Sequence, residues 1–140
     1  MDILSYSGEG IEKISATVRD FLFEHLEEYG DAIEDIARCI KYARDKGGAV
    51  IISTIDKEVV GAVVLNETGM KGYIPENILV YIAVSSKARG EGIGKGLMEK
   101  AIEITEGDIA LHVEKDNPAR FLYEKVGFTN PYLEMRYKRK

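Results

Sequence analysis

The segment Tyr81-Ile82-Ala83-Val84-Ser85-Ser86-Lys87-Ala88-Arg89-Gly90-Glu91-Gly92-Ile93-Gly94-Lys95-Gly96-Leu97-Met98 constrains the fold more than any other part of this chain. A β-branched and aromatic apolar run (Ile78 to Val84) stops at a polar turn, passes through four alternating glycines and becomes an amphipathic helix. It reads as strand, glycine loop, helix. The first backbone N–H groups of a helix have no intrahelical partner and carry the positive end of its dipole, so a phosphate can sit on bare backbone there.

Spacing narrows which phosphate loop this is. A Walker A loop needs G-x-x-x-x-G-K-[ST], but Gly94-Lys95 is followed by Gly96, which has no hydroxyl for magnesium. A dinucleotide fingerprint needs Gly or Ala at its last position, which is Lys95, Leu97 or Glu99 depending on the starting glycine. Both readings fail, and Arg89-x-x-Gly92-x-Gly94 after a hydrophobic strand remains.

The 140 residues suit one domain spanning 1–140. A formal charge of -5 argues against a nucleic-acid-binding face, which normally shows as a basic domain. The basic tail from Arg136 to Lys140 fits a solvated end. Cys39 is the sole cysteine, so no intramolecular disulfide forms, and one cysteine with two scattered histidines makes no Cys/His metal site. The N-terminus lacks a signal-peptide layout and no apolar run is long enough to span a bilayer, from which a cytoplasmic location without membrane contact is expected.

Periodicity predicts a short first strand at Ile3 to Tyr6 and a helix whose stripe runs from Ile11 to Tyr29. A second helix follows, capped by Asp31 and ended by Gly47-Gly48. Ala49 to Ile55 and Val59 to Leu65 form an antiparallel hairpin through Asp56-Lys57-Glu58, with Gly61 marking a bulge or close contact. Ile78 to Val84 does not alternate, which predicts a central strand buried on both faces. After the loop helix comes a strand at Ile109 to Val113. A helix capped by Asn117 with Pro118 at its first position then ends at Gly127, and a final strand runs from Tyr132 to Tyr137. The order β-α-α-β-β-β-α-β-α-β gives a mixed α/β layer fold.

That order resembles the GNAT superfamily of acetyl-CoA-dependent N-acetyltransferases. The glycine loop is similar to its pyrophosphate loop, and Leu122-Tyr123-Glu124-Lys125-Val126-Gly127-Phe128 is similar to its closing helix. The resemblance covers most of the chain from Ala49 to Phe128. It implies a mixed central sheet flanked by helices, with acetyl-CoA as acyl donor and direct transfer to a primary amine in a ternary complex. It implies that the backbone of Ile82, Ala83 and Val84 contacts the pantetheine arm, and that the amides of Arg89, Gly90, Glu91, Gly92, Ile93, Gly94 and Lys95 hold the pyrophosphate. Asn117 would help position the cofactor, with Asp116 the alternative because the asparagine lies one residue nearer the tyrosine than in many relatives. Tyr123 would protonate the departing thiolate, a role that suits a phenol.

An amine acceptor must lose a proton, so a base is needed. Alternation places His112 with Ala110 on the face opposite Ile109, Leu111 and Val113, where some relatives carry a glutamate base. Glu76, at the start of the strand bordering the cleft, competes with it. Ile78 and Val80 occupy base positions of other relatives and cannot transfer protons. His25 lies on an apolar stripe, and Cys39 has no basic neighbour to activate it. The acidic residues Glu24, Glu27, Glu28, Glu34 and Asp35 are spaced as a solvated face. The rival to an enzyme is a non-catalytic acyl-CoA-binding or regulatory module. The acceptor, a small molecule or a peptide, is open, and a homodimer is the commonest assembly for such a chain.

Overall fold

In a computed structural model describing residues 1–139, five strands form one sheet in the order β1-β2-β3-β4-β5. They are β1 (Asp2–Tyr6), β2 (Gly48–Ile55), β3 (Glu58–Glu67), β4 (Asn77–Val84) and β5 (Ile109–Leu111). Neighbours are antiparallel except β4 and β5, which are parallel. Helices α1 (Ser15–His25) and α2 (Ile33–Asp45) cover one face, and α3 (Ile93–Ile104) and α4 (Arg120–Lys125) cover the other.

Each face buries its own core. Val18, Leu22, Ile36 and Ile40 pack on Val50, Ile52, Val64 and Tyr81. Ile93, Leu97, Met98 and Ala101 pack on Ile51, Val63, Leu65 and Leu79. Successive residues of β2 and β3 enter opposite cores, so a strand covered on both sides reads as an unbroken apolar run.

The central strand is therefore β3, and β4 lies one place in from the edge. β4 is not buried on both faces throughout, since Val80 is 37% exposed. The first helix is also shorter than its stripe: Ile11 belongs to a 3-10 segment (Gly8–Lys13), and Tyr29 to a 3-10 turn (Glu27–Tyr29). Glu27 takes a positive φ of 55°, a conformation no α-helix continues through. Ala32, without a side-chain cap, opens α2 in place of Asp31. The stretch Tyr132 to Tyr137 forms no strand, and Tyr132, Leu133, Met135 and Tyr137 are all more than 80% exposed. The β4–β5 ladder spans only three residue pairs, and Pro131 supplies no N–H for a new one.

The hairpin turns through Asp56 and Lys57, both at positive φ as a two-residue primed turn requires. A register shift between Ser53 and Thr54 places Gly61 opposite Ser53, where a Cβ would lie 2.5 Å from the Ser53 hydroxyl and 2.8 Å from Leu97. The Ser53 hydroxyl is fully buried without a hydrogen-bond partner among the described residues. Ser53→Ala removes that unmet group, and urea unfolding is expected to show a gain of about 1 kcal/mol. A loss of stability would mean that the hydroxyl has a partner in solution.

Candidate active site

The site forms where β4 and β5 part. Their ladder runs Asn77–Ile109, Ile78–Ala110, Leu79–Leu111 and stops. At the same level β4 bulges: Leu79 pairs with Leu65 and Tyr81 with Val64, leaving Val80 as the extra residue. Beyond it, β4 has a strand on one side only. Ser85 donates its N–H to the Val60 carbonyl of β3 (2.8 Å), so by alternation Ile82 and Val84 turn their backbone groups away from β3 into the slot. Ala83 turns its groups toward Ala62 of β3.

β4 leads directly into the glycine loop. A single 3-10 turn, Ser86–Ala88, is capped by Ser85, and Arg89 extends the chain into Gly90 and Gly92 at positive φ of 88° and 75°. Gly92 is the N-cap of α3, and the first backbone bond returning to it comes from Gly96 (3.0 Å). The amides of Ile93, Gly94 and Lys95 thus precede the first intrahelical donor and face the loop. A Cβ on Gly90 or Gly92 would meet nothing, whereas one on Gly94 would press on Leu122 of α4 at 3.0 Å. The first two glycines shape an open loop, and the third seats α4 against α3.

α4 carries Tyr123, which is 7% exposed and packs on Phe128 with the rings tilted and their centroids 6.3 Å apart. Burial first, and then the charge of Glu114, push its phenol up to about 12, so it stays protonated across the neutral range. Asn117 accepts a hydrogen bond from the Ala119 N–H (2.9 Å) and organises a turn. The helix starts at Arg120, two residues later than Asn-Pro predicts. Asp116 is exposed on the same turn.

The two base candidates lie at different levels of the sheet. His112 is exposed one residue past β5, where the strands separate. Glu76 lies just before β4, at the opposite end from the glycine loop, roughly 25 Å along the strand. Its carboxylate accepts the Asp108 N–H (3.0 Å) and lies over Gly107, fastening the turn into β5. Backbone hydrogen bonds, led by that of Asp108, hold the carboxyl below its usual range. With the folded value depressed, the stabilisation is present at neutral pH and lost as pH falls through it. Glu76→Gln is expected to leave kcat unchanged while lowering Tm at neutral pH, with the Tm gap closing in acid; a collapse of kcat at unchanged Tm would return Glu76 to the chemistry.

Elsewhere, His25 packs on Phe21 (4.4 Å between centroids) beside Glu24, in a depression lined also by Lys57, Glu58 and Val59. Cys39 is buried, its thiol pushed up to about 12 chiefly by desolvation, and it donates to the Asn66 side-chain oxygen (3.5 Å). A thiol so held is a poor nucleophile. One pair escaped the sequence reading: the Tyr81 hydroxyl donates to Asp31 (2.6 Å), tying the α1–α2 connection to β4 immediately after the bulge. Desolvation and then that bond raise the Tyr81 phenol. An unbroken apolar run hides which way one tyrosine faces, so no local signal revealed the pair.

The model of the acetyltransferase (GNAT) family matches residues 13–128, which contain the slot, the loop and α4. The chain belongs to the GNAT acetyltransferase family. Among relatives of this GNAT chain is the 5-NmdU N-acetyltransferase of Pseudomonas phage PaMx11, 31% identical over 116 residues, covering 74% of this chain and 83% of the relative. Human N-alpha-acetyltransferase 30 is 34% identical over 91 residues, which are 61% of this chain and only 25% of that protein. In fold, the chain is similar to a probable acetyltransferase (TM-score 0.75, 20% identity, 100% of this chain and 97% of the other). It is also similar to the ribosomal-protein-alanine N-acetyltransferase of Brucella melitensis biovar Abortus 2308 (TM-score 0.69, 18% identity, 99% and 98%). Among the described residues no helix is long and apolar enough to cross a membrane.

Proposed function

We propose that this GNAT protein transfers the acetyl group of acetyl-CoA directly to a primary amine. The observation that carries the reading is the parting of β4 from β5, which leaves backbone groups of Ile82 and Val84 beside a glycine loop and the unpaired amides of α3. An extended amide-bearing arm adds there as a strand would. Its pyrophosphate then meets the amides from Gly92 to Lys95, with Arg89 nearby, and its thioester lies level with the Val80 bulge. The amine attacks the thioester carbonyl, the tetrahedral intermediate expels the thiolate, and Tyr123 donates the proton that makes coenzyme A thiol. His112 accepts the proton that the ammonium loses before attack, and the second proton, shed by the nitrogen as the amide forms, passes through solvent to restore the Tyr123 phenol. Asn117 is assigned to shaping the turn before α4, in keeping with its bond to Ala119.

Amide exchange followed by NMR tests donor binding. Coenzyme A is expected to protect Ile82, Val84 and Ile93 to Lys95; unchanged exchange throughout this set would remove the donor site. One observation favours the rival, a module that binds acyl-CoA without turnover: Glu76 is committed to a turn, and β4 offers only Ile78 and Val80 at its base positions. Binding without amine-dependent thiol release would select it.

A further inference from the structure

β5 is an edge strand: it pairs with β4 on one side, and among the described residues no strand lies on the other. The edge is unfinished as well as open. Ile109 and Leu111 of β5, and Val113 just past it, pack against the core under α3 and α4 yet stay half-buried, whereas Ile51 of β2 and Val63 of β3 in that core are fully enclosed. An open edge beside a half-covered core is where a further strand adds. Such a strand carries apolar side chains at every second position and polar ones between.

The chain supplies a segment of that kind. Residues 132–139 read Tyr-Leu-Glu-Met-Arg-Tyr-Lys-Arg, so an extended backbone puts Leu133, Met135 and Tyr137 on one face and Glu134, Arg136 and Lys138 on the other. The three apolar side chains are 86%, 90% and 81% exposed. Large apolar groups left bare at alternate positions mark a surface made for contact. Charge agrees with the pairing. Arg136, Lys138 and Arg139 make this arm basic in a chain of formal charge -5. Exposed acids flank the β5 edge, Glu106 and Asp108 before it and Glu114 and Asp116 after it, against one lysine, Lys115. None of these four carboxylates has an ion-pair partner among the described residues.

In the single chain the arm does not lie on its own β5, although no other strand takes that edge. Each copy therefore presents both a free arm and a free edge, an arrangement that two copies satisfy by exchange. We propose that the protein forms a two-fold dimer in which residues 132–137 of each copy add as a strand to the outer edge of β5 of the other. Leu133, Met135 and Tyr137 then cover the half-buried apolar side chains along β5, and the basic groups of the arm meet the acids that flank the strand. The contact is reciprocal and closes, so each edge is capped once and no filament grows. The inference does not depend on the acetyl-transfer reading.

Light scattering on the full chain is expected to give twice the 15.6 kDa of one copy at about 1 mM protein and the mass of one copy at about 1 μM, the range a weak interface spans. Salt at roughly 0.5 M should move the transition to higher protein concentration by screening the charges of the arm. Leu133→Glu combined with Met135→Glu should give one copy at every concentration, with Tm in dilute solution unchanged because both side chains are exposed in the single chain. Amide exchange followed by NMR locates the contact: residues 109–113 and 132–137 should exchange more slowly as the parent protein is concentrated, and the double variant should show no such change. A single copy at every concentration overturns the inference, whether the arm exchanges freely or is protected at all concentrations by folding onto its own β5. A dimer that survives both substitutions overturns it as well.

Discussion

Tyr123→Phe is expected to lower kcat by about 100-fold or more while leaving KM for acetyl-CoA close to its original value. The phenol is buried with its ring packed on Phe128, so Phe keeps the shape and deletes only the hydroxyl. In the proposed mechanism what disappears is the proton given to the departing thiolate, an interaction made only as the carbon–sulfur bond breaks. Because burial and Glu114 lift the phenol to about 12, kcat of the parent enzyme should show no alkaline decline attributable to Tyr123 up to about pH 10. An unchanged kcat in single-turnover measurements, where product release cannot mask the chemical step, would take Tyr123 out of the mechanism.

The second large effect is on stability. Gly48→Ala is expected to cost about 3 kcal/mol or more, since it combines backbone strain with overpacking. Gly48 has a φ of +140°, and a Cβ there would sit 2.0 Å from the Leu65 carbonyl oxygen, a backbone atom that cannot rotate away. It also opens β2 opposite Asn66, so relieving the clash means separating the two strands that lie between both cores. Gly69→Ala is the control for a positive φ in open space, at +77° with nothing within 4 Å of its Cβ; it should cost about 1 kcal/mol. Urea unfolding reads both as shifts in midpoint at constant slope. Equal costs for the two would show that the contact with Leu65 does not exist in solution.

Much of this was legible because local patterns and tertiary burial agree over most of the chain. The glycine loop was readable since Gly90 and Gly92 take backbone conformations that other residues resist, and Gly94 meets Leu122. The hairpin was readable because β2 and β3 enter both cores and carry few polar residues. The errors fall where a tertiary contact overrides the local pattern. Asp31 resembled a cap, but its carboxylate is taken by a tyrosine fifty positions away. Glu76, read as a candidate base, has a structural partner that sequence gave no sign of, the backbone N–H of Asp108. Tyr132 to Tyr137 alternates like a strand, but no strand pairs with it. The α1 stripe was continuous through Glu27, whose positive φ breaks the helix.

In the proposed reading the donor side is backbone, the free groups of β4 and the amides at the start of α3, and a backbone site marks a sequence through its glycines and apolar run.

The most direct test of acetyl transfer is to incubate the protein with acetyl-CoA and a panel of amines, follow thiol release, and identify the acetylated amine by mass. Thiol release that depends on the amine, matched mole for mole by acetylated product and diminished by Tyr123→Phe, is the predicted result. Tight binding of acetyl-CoA with no acetylated product from any amine or peptide would contradict it.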